Sequence, residues 1–291
     1  MKNMSNVYFS KYKVSTITCN ANIGIDISID LSILYDNINP IDEDDNIIWI
    51  QNLKDNCEYV KGFYPKKIRK SKKNNKKKNR FDNQITIIYK FNKDYKPNIK
   101  IFKNGNIQLT GIKNVEDTDI IANKIIEYVK KSYKINKDID LSEDKIDFLK
   151  KLQFSNFKIR MINSDFKTYT NPELTDKFNI RRKELHNLLI SSKYNNKCSF
   201  QPGIYQGVKL EYYYNNNNNN GICVCENHVF NKKFNNICKK VTIAIFESGS
   251  ILITGGITFE QIDIAYKYIT KIIKDNTESL KRPNINIFEN L

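Results

Sequence analysis

The chain has little of what most enzymes and membrane proteins need. Its 291 residues include only two histidines, His186 and His228. No apolar stretch comes near the roughly 18 residues that a membrane helix requires. No P-loop, glycine-rich dinucleotide fingerprint or nucleophile with a suitable histidine is found, and the carboxylates form no motif. We therefore expect a protein that is not an enzyme and does not span a membrane.

The amino terminus and the cysteines predict where the protein works. Residues 1–14 are polar and lack the apolar core of a signal peptide. The six cysteines are spread through a chain that is too large to need disulfide staples. These features predict a soluble protein of an intracellular, reducing compartment.

Positive charge is present in excess. The 48 basic and 32 acidic side chains give a net charge of +16, which favours a polyanionic partner. Ten of the basic residues lie within residues 66–80, a block without acidic residues. This block is interpreted either as a phosphate-binding arm or nuclear-import signal, or as a solvated loop enlarged by codon bias. The many Asn, Ile and Lys residues, whose codons are A/T-rich, indicate an A/T-biased genome.

An internal repeat is the strongest feature of the sequence. The segment from Ile99 to Gly111 matches the segment from Ile243 to Gly255 without gaps, at a constant offset of 144 residues. Each copy continues into an amphipathic helical pattern. A self-similarity of this length indicates a duplicated supersecondary unit.

Each copy predicts a strand, a tight turn, a second strand and a helix, with the turns at Asn104-Gly105 and Ser248-Gly249. Because alternate residues of a strand share a face, one face is apolar in both copies and is expected to pack under the helix. That face carries Ile99, Ile101, Ile107 and Leu109 in the first copy and Ile243, Ile245, Ile251 and Ile253 in the second.

The opposite face carries a phenylalanine and a threonine in each copy. Either this face is open to a ligand, or a second layer covers it and each phenylalanine is ordinary core; the residues alone leave both possibilities open. Its members are Lys100, Phe102, Gln108 and Thr110 in the first copy and Ala244, Phe246, Leu252 and Thr254 in the second.

Matching patterns precede each copy, so that each half is predicted as strand, helix, strands and helix. Trp49 is expected in the core of an inserted region. The predicted domains are a first repeat at 1–134 with a basic insertion at about 42–80, a linker at 135–147, a second repeat at 148–275 with an insertion at about 215–240, and a tail at 276–291. The predicted elements outside the two copies are strands at 14–25, 81–91, 157–163 and 205–214 and helices near 31–38 and 180–194.

Several of these segments resemble the TATA-box-binding protein family. The resemblance implies an α+β fold in which two tandem repeats form a curved, saddle-shaped antiparallel sheet with helices on its convex side. The segments that carry it are 101–111 and 245–255, similar to the family's hairpin signature, together with Val14–Ile17, Phe157–Met161 and Phe178–Arg181.

The resemblance implies that the chain binds double-stranded, A/T-rich DNA in the minor groove at promoters and recruits transcription initiation factors and RNA polymerase. The alternative is a protein-interaction scaffold of the same fold that has lost specific TATA binding. With the compositional bias, the resemblance points to a large DNA virus. We then expect the protein in the viral factory of the host cytoplasm or in the nucleus, or packaged in the virion.

The resemblance also implies the residues that contact DNA. Phe63 and Phe200 compete with two of them, Phe81 and Tyr205, as partners of the intercalating phenylalanines. The family's central groove asparagines align with Tyr12 and Met161. The implied DNA-binding residues are Phe102, Thr110, Phe246, Thr254, Phe81, Tyr205, Gln108, Leu252, Val14 and Asn163.

A cysteine-rich insertion offers a possible metal site. Cys223, Cys225, His228 and Cys238 are ligand types that zinc prefers. However, two cysteines with one residue between them are closer than the usual zinc-binding spacing, and unpaired cysteines are often merely buried. The sequence therefore favours buried cysteines over zinc, and no cofactor is expected.

Overall fold

The computed structural model describes residues 6–24, 26–40, 46–54, 57–64, 83–135, 143–217, 219–225 and 237–283. The chain divides into an N-terminal unit, Thr16–Ile159, and a C-terminal unit, which combines Met1–Ser15 with Arg160–Leu291. Phe81, His228 and the basic block 66–80 lie outside the described residues, so the predictions made for them stay predictions.

The described residues form twelve strands and six helices. None of these helices is long and apolar enough to cross a membrane. In chain order the elements are β1 (Tyr8–Phe9), β2 (Lys13–Asn22), α1 (Leu31–Asn37), β3 (Ile47–Lys54), β4 (Cys57–Gly62), β5 (Gln84–Tyr89), β6 (Asn98–Phe102), β7 (Asn106–Ile112), α2 (Asp117–Ile135), α3 (Glu143–Lys150), β8 (Ser155–Tyr169), α4 (Arg182–Ile190), β9 (Lys197–Gln201), β10 (Tyr205–Tyr214), β11 (Lys239–Ile245), β12 (Ser250–Gly256), α5 (Phe259–Asp275) and α6 (Thr277–Leu280).

The N-terminal unit is built on an antiparallel sheet with the strand order β4-β3-β5-β6-β7-β2. Helix α1 begins after Asp30, whose carboxylate accepts the backbone N–H of Ser32 at 2.8 Å and so caps the helix. Helix α2 buries Ile121, Ile125 and Val129 completely. The apolar side of this sheet is thus covered by helices that follow the amphipathic pattern of the sequence.

The C-terminal unit has the strand order β8-β12-β11-β10-β9, and β1 also pairs with β8. Helix α5 contacts β10, β11 and β12 and buries Ile262, Ile269 and Ile272. At its start the Thr258 hydroxyl accepts the Gln261 N–H at 3.3 Å, while the Gln261 side-chain oxygen accepts the Ile257 N–H at 2.8 Å. The first bond satisfies a backbone donor that the first helical turn leaves unpaired, and the second satisfies the N–H of Ile257 just before the helix.

The two copies of the repeat have the same strand register. Each residue pair of the β6–β7 hairpin has its equivalent in β11–β12 at the offset of 144 residues, and each hairpin is followed by a long helix. This confirms the prediction of an α+β fold with two like sheet-and-helix repeats. The equivalent pairs are Asn98–Thr110 and Thr242–Thr254, Ile99–Leu109 and Ile243–Ile253, Lys100–Gln108 and Ala244–Leu252, and Ile101–Ile107 and Ile245–Ile251.

Glycine is required at the same two points of each copy. Gly105 and Gly249 turn the hairpins with φ angles of +76° and +75°. Gly111 and Gly255 adopt φ angles of +82° and +95° where the pairing to the next strand shifts by one residue. Only glycine reaches this left-handed region without steric strain, so the backbone repeats together with the sequence.

The predicted apolar face is confirmed. All eight of its isoleucine and leucine side chains are at most 1% exposed. By contrast, Ile120 at the start of α2 is 55% exposed and lies outside the core.

The inserted region of the first repeat contains more regular structure than its sequence predicts. Strands β3 and β4 form a hairpin there, and β3 pairs with β5, so the insertion widens the sheet. Trp49 of β3 is buried, as expected. The sequence does not predict strand β9 either, and α3 begins inside the segment 135–147, for which the sequence predicts a linker.

Gly249 offers a direct test of the hairpin geometry. A Cβ atom at this position would lie 2.2 Å from the Thr168 hydroxyl oxygen and 2.5 Å from the Phe178 carbonyl oxygen. We expect Gly249→Ala to lower the free energy of unfolding by at least about 1–2 kcal/mol, because it combines this overlap with a left-handed backbone. The measurement is denaturant unfolding.

Gly203→Ala is the matched control, since no atom lies within 4 Å of the Cβ that it would add. It should change stability by no more than about 0.5 kcal/mol. If both variants unfold at the same denaturant concentration, the turn does not depend on glycine.

Candidate nucleic-acid interface

In the C-terminal unit, the sheet face opposite the buried isoleucines is only partly covered. Phe246, Leu252 and Thr254 are each half-buried on it, whereas Ala244 is buried. Strand β8 extends this face, because Asn163 pairs with Thr254 across the β8–β12 ladder. We call this surface the C-terminal open face. It brings together Asn163, Asp165, Thr242, Ala244, Phe246, Leu252, Thr254, Lys209 and Glu211.

An aromatic pair lies at one end of the C-terminal open face. The rings of Tyr205 and Phe246 have centroids 5.7 Å apart and are tilted by 58°. Gly207 makes room for both rings, since a Cβ atom there would lie 2.9 Å from Tyr205 and 3.1 Å from Phe246. The Lys209 ammonium lies 4.0 Å from the centre of the Tyr205 ring. The structure therefore pairs two predicted residues and adds a cation beside them.

A charged cluster follows along β10. The Glu211 carboxylate lies 3.1 Å from the Lys240 ammonium and 3.2 Å from that of Lys197, and it accepts the Tyr213 hydroxyl at 2.5 Å. Burial raises the pKa of Glu211, but the hydrogen bonds from Tyr213 and the two lysines outweigh it and lower the pKa. The carboxylate thus stays charged at neutral pH and neutralises part of the positive charge of this face.

In the N-terminal unit, the corresponding surface is more polar. Gln108 of β7 lies between Lys100 of β6 and Asn20 of β2, and the amides of Gln108 and Asn20 are 3.5 Å apart. Phe102 is half-buried and pairs with Gln84 of β5. We call this surface the N-terminal open face; it comprises Thr18, Asn20, Gln84, Lys100, Phe102, Gln108 and Thr110.

Not all of the other residues considered for DNA contact lie on these two open faces. Val14 is half-buried in β2, and Phe63 is 82% exposed beyond β4. Phe200 lies against helix α4, with its ring 5.4 Å from the Arg182 guanidinium. Tyr12, which aligns with a groove asparagine, packs instead against Tyr266 of α5, with ring centroids 5.4 Å apart. Both rings therefore pack against a helix, and neither belongs to the two open faces.

Two residues of the open faces were missed in the sequence. Asn20 shares a strand face with Thr18, so alternation along β2 would have identified it once the bounds of the strand were known. Lys209 follows Tyr205 and Gly207 on the same face of β10 and could have been found in the same way. The signal existed in both cases, but the sequence is so rich in Asn and Lys that neither residue stood out.

Three of the six cysteines lie together, and the other three, including the exposed Cys57, are separate. Cys223, Cys225 and Cys238 come together, while their predicted companion His228 lies outside the described residues. Cys19 and Cys198 are separate thiols, and burial raises their pKa values to about 11 and about 12. Cys19 acts as a small apolar core residue, whereas Cys198 is half-buried in β9.

Comparisons with known proteins identify the family. Residues 48–132 match the family model described as "Transcription factor TFIID (or TATA-binding protein, TBP)". The chain is 32% identical over 275 residues to a protein of Acanthamoeba polyphaga mimivirus named "TATA-box-binding protein-like". That alignment covers 92% of this chain and 66% of the viral protein.

A solved structure, the TBP of Methanococcus jannaschii, is similar with a TM-score of 0.48 and 16% identity, covering 91% of this chain and 99% of the archaeal one. The family's description as a transcription factor confirms the prediction that the chain is not an enzyme. The mimivirus relative supports the predicted viral origin. The chain therefore belongs to the TATA-box-binding protein family, as a divergent viral member of it.

Proposed function

We propose that this chain is a DNA-binding basal transcription factor that lays its open faces in the minor groove at promoters and recruits the transcription machinery. One observation carries the proposal. Each unit buries its isoleucine face under helices and presents, on the other face, a half-buried phenylalanine and threonine at equivalent positions, Phe102 with Thr110 and Phe246 with Thr254.

The chemistry of the open faces suits the floor of the minor groove. A·T pairs offer only acceptors there, while G·C pairs add a protruding amino group. The side-chain amides of Asn20 and Gln108 can donate to such acceptors. Thr254, Leu252 and Ala244 are uncharged, so they can approach base edges without burying a charge. These features support A/T-rich double-stranded DNA as the ligand.

The aromatic residues suit the insertion of a wedge between base pairs. Apolar side chains that unstack and kink DNA are already known from this protein family, and unstacking costs a few kcal/mol per step. A ring such as Phe246 replaces part of the lost stacking because it is flat and apolar. Its neighbour Tyr205 supplies a second ring, and Lys209 adds a positive charge within reach of a phosphate.

Acidic side chains on the C-terminal open face do not contradict DNA binding. Glu211 is paired with two lysines, and Asp165 lies 3.6 Å from the Lys13 ammonium. Each carboxylate therefore has at least one cation beside it, which reduces its repulsion of phosphates.

The proposed partners beyond DNA are transcription initiation factors and RNA polymerase, which the outward sides of the helices would recruit. We propose that the protein acts where viral genes are transcribed, in the viral factory of the host cytoplasm or in the nucleus. An interaction scaffold without specific DNA binding is the competing function, and the experiments below distinguish the two.

Glu211→Gln should strengthen DNA binding. The substitution removes the negative charge that holds Lys197 and Lys240, and the freed lysines can contact phosphates. We expect a higher affinity at low salt. A plot of log binding constant against log salt concentration should be steeper by roughly 0.9 for each new phosphate contact.

Glu173→Gln is the matched control, because Glu173 is exposed in the loop after β8 and the same charge is removed there. It should leave the salt slope unchanged. Equal slopes for both variants and the parent protein would show that the end of β10 does not face DNA.

Replacing both Phe102 and Phe246 with alanine should abolish DNA bending and leave the fold intact. Both rings are half-buried, and Phe246 loses an aromatic pair worth about 0.5–1.5 kcal/mol. Phe166→Ala is the control for a core ring: its side chain is 2% exposed, and we expect a cost of about 3–5 kcal/mol. Thermal unfolding measures stability, and energy transfer between dyes at the duplex ends measures the bend.

Two results would contradict the proposal. If the double variant binds and bends A/T-rich duplexes as the parent does, the open faces are not groove surfaces and the scaffold function is favoured. If it loses as much stability as Phe166→Ala, the rings belong to the core.

A further inference from the structure

Three cysteine thiols meet in the long connection between β10 and β11. This connection runs from residue 215 to residue 238, well beyond the 12–15 residues that are usual for a loop without its own structure. The sulfur atoms of Cys223, Cys225 and Cys238 all lie within 4.8 Å of one another. The three side chains are only 6%, 7% and 4% exposed. The described part of this connection therefore contains a compact, buried cluster of soft ligands.

The cluster is fixed to the sheet from both sides. Cys238 immediately precedes β11, and the cysteines pack with Tyr213 of β10 in one apolar cluster. The Tyr213 N–H donates to the Gly221 carbonyl at 3.0 Å, and Gly221 turns the chain with a φ angle of +73°. The Val224 N–H donates to the Cys238 sulfur at 3.3 Å. Backbone N–H groups of this kind orient and stabilise metal-bound thiolates.

We propose that Cys223, Cys225 and Cys238 bind a structural zinc ion. Zinc bonds of about 2.3 Å to thiolates in tetrahedral geometry separate the sulfur atoms by about 3.8 Å, so small side-chain rotations bring these three into place. Each thiol releases its proton to solvent when the metal binds. His228 is the sequence-based candidate for the fourth ligand and lies outside the described residues.

Zinc explains the cluster better than the alternatives. A disulfide would use two of the sulfur atoms and leave the third without a role, although all three converge. Simple burial does not explain why three cysteines separated by up to 15 positions meet at one point, when Cys19 is buried by itself. A metal that binds only the folded loop also stabilises it, as in other small metal-clipped segments.

The bound metal would order the surface next to the C-terminal open face. Tyr213 packs on the cysteines and donates its hydroxyl to Glu211, which in turn holds Lys240. The site is therefore predicted to stabilise the charged end of β10. This inference stands on the thiol geometry and does not depend on DNA binding.

The test uses the full chain, purified under reducing conditions without added metal. We expect about one zinc ion per chain by elemental mass spectrometry. Replacing zinc with cobalt(II) should give the intense visible absorption of a tetrahedral cobalt site with several thiolate ligands. Chelation of the metal should lower the melting temperature of the parent protein.

Single Cys→Ser changes at 223, 225 and 238 should each weaken cobalt binding at least about tenfold, because each removes a first-sphere ligand and even outer-shell changes cost 10–100-fold. Cys57→Ser is the matched control, since Cys57 is exposed on β4 and outside the cluster. It should bind cobalt as the parent does.

Two results would contradict the proposed zinc site. Absence of the tetrahedral thiolate absorption from the folded parent protein overturns the proposal, whatever the serine variants do. Detection of a disulfide among these cysteines in the unreduced protein, by mass spectrometry after alkylation, overturns it as well.

Discussion

The packing of one apolar strand face under a long helix is the constraint on which each unit depends. In a hairpin with regular alternation, the burial of Ile99 and Ile101 under α2 leaves the intervening Lys100 and Phe102 on the other side of the sheet. The same holds for Ile243 and Ile245 in the second hairpin. A shift of one residue would send the isoleucines to the open side, so the core also decides which side chains can meet a ligand.

The sequence predicted the parts of the fold that depend on this alternation. Both hairpins, their turns, the two long helices and strand β10 follow from patterns of period 2 and 3.6 and from the glycines at the turns. The misses occurred where the pattern is ambiguous. The sequence of β3 is a short apolar run around Trp49, and β4 is exposed along most of its length. Neither strand therefore shows a clean alternation of apolar and polar residues. These strands form because β3 completes hydrogen bonding along β5, a tertiary effect that no local pattern records.

The sequence predicted the residues of the candidate site less completely than it predicted the fold. The pairing of Tyr205 with Phe246 agrees with the proposed alignment, and Gly207 explains how both rings fit. Phe200 had an equally suitable side chain, but its ring packs against helix α4, and Tyr12, which aligns with a groove asparagine of the family, packs against α5. Alignment identifies the residue type, whereas the strand face on which that residue lies depends on local register. The convergence of the three cysteines is also a tertiary event, since the spacing alone favoured burial without metal.

The two copies of the repeat agree at their buried positions and differ at several of their open positions. Their buried positions are all isoleucine or leucine, as packing under a helix requires. The open positions have diverged, from Lys100 and Gln108 in one copy to Ala244 and Leu252 in the other.

Yet Phe102 and Phe246 are alike, and so are Thr110 and Thr254, although none of the four is needed to fill the core. Half-buried rings on a sheet surface expose apolar area to water, and a sequence free to vary could replace them with polar residues at little cost. Their presence in both copies therefore supports the DNA contact that we propose for each open face. Under the same proposal, the divergence around them gives each face its own contacts with DNA, through amides in one copy and small apolar side chains in the other.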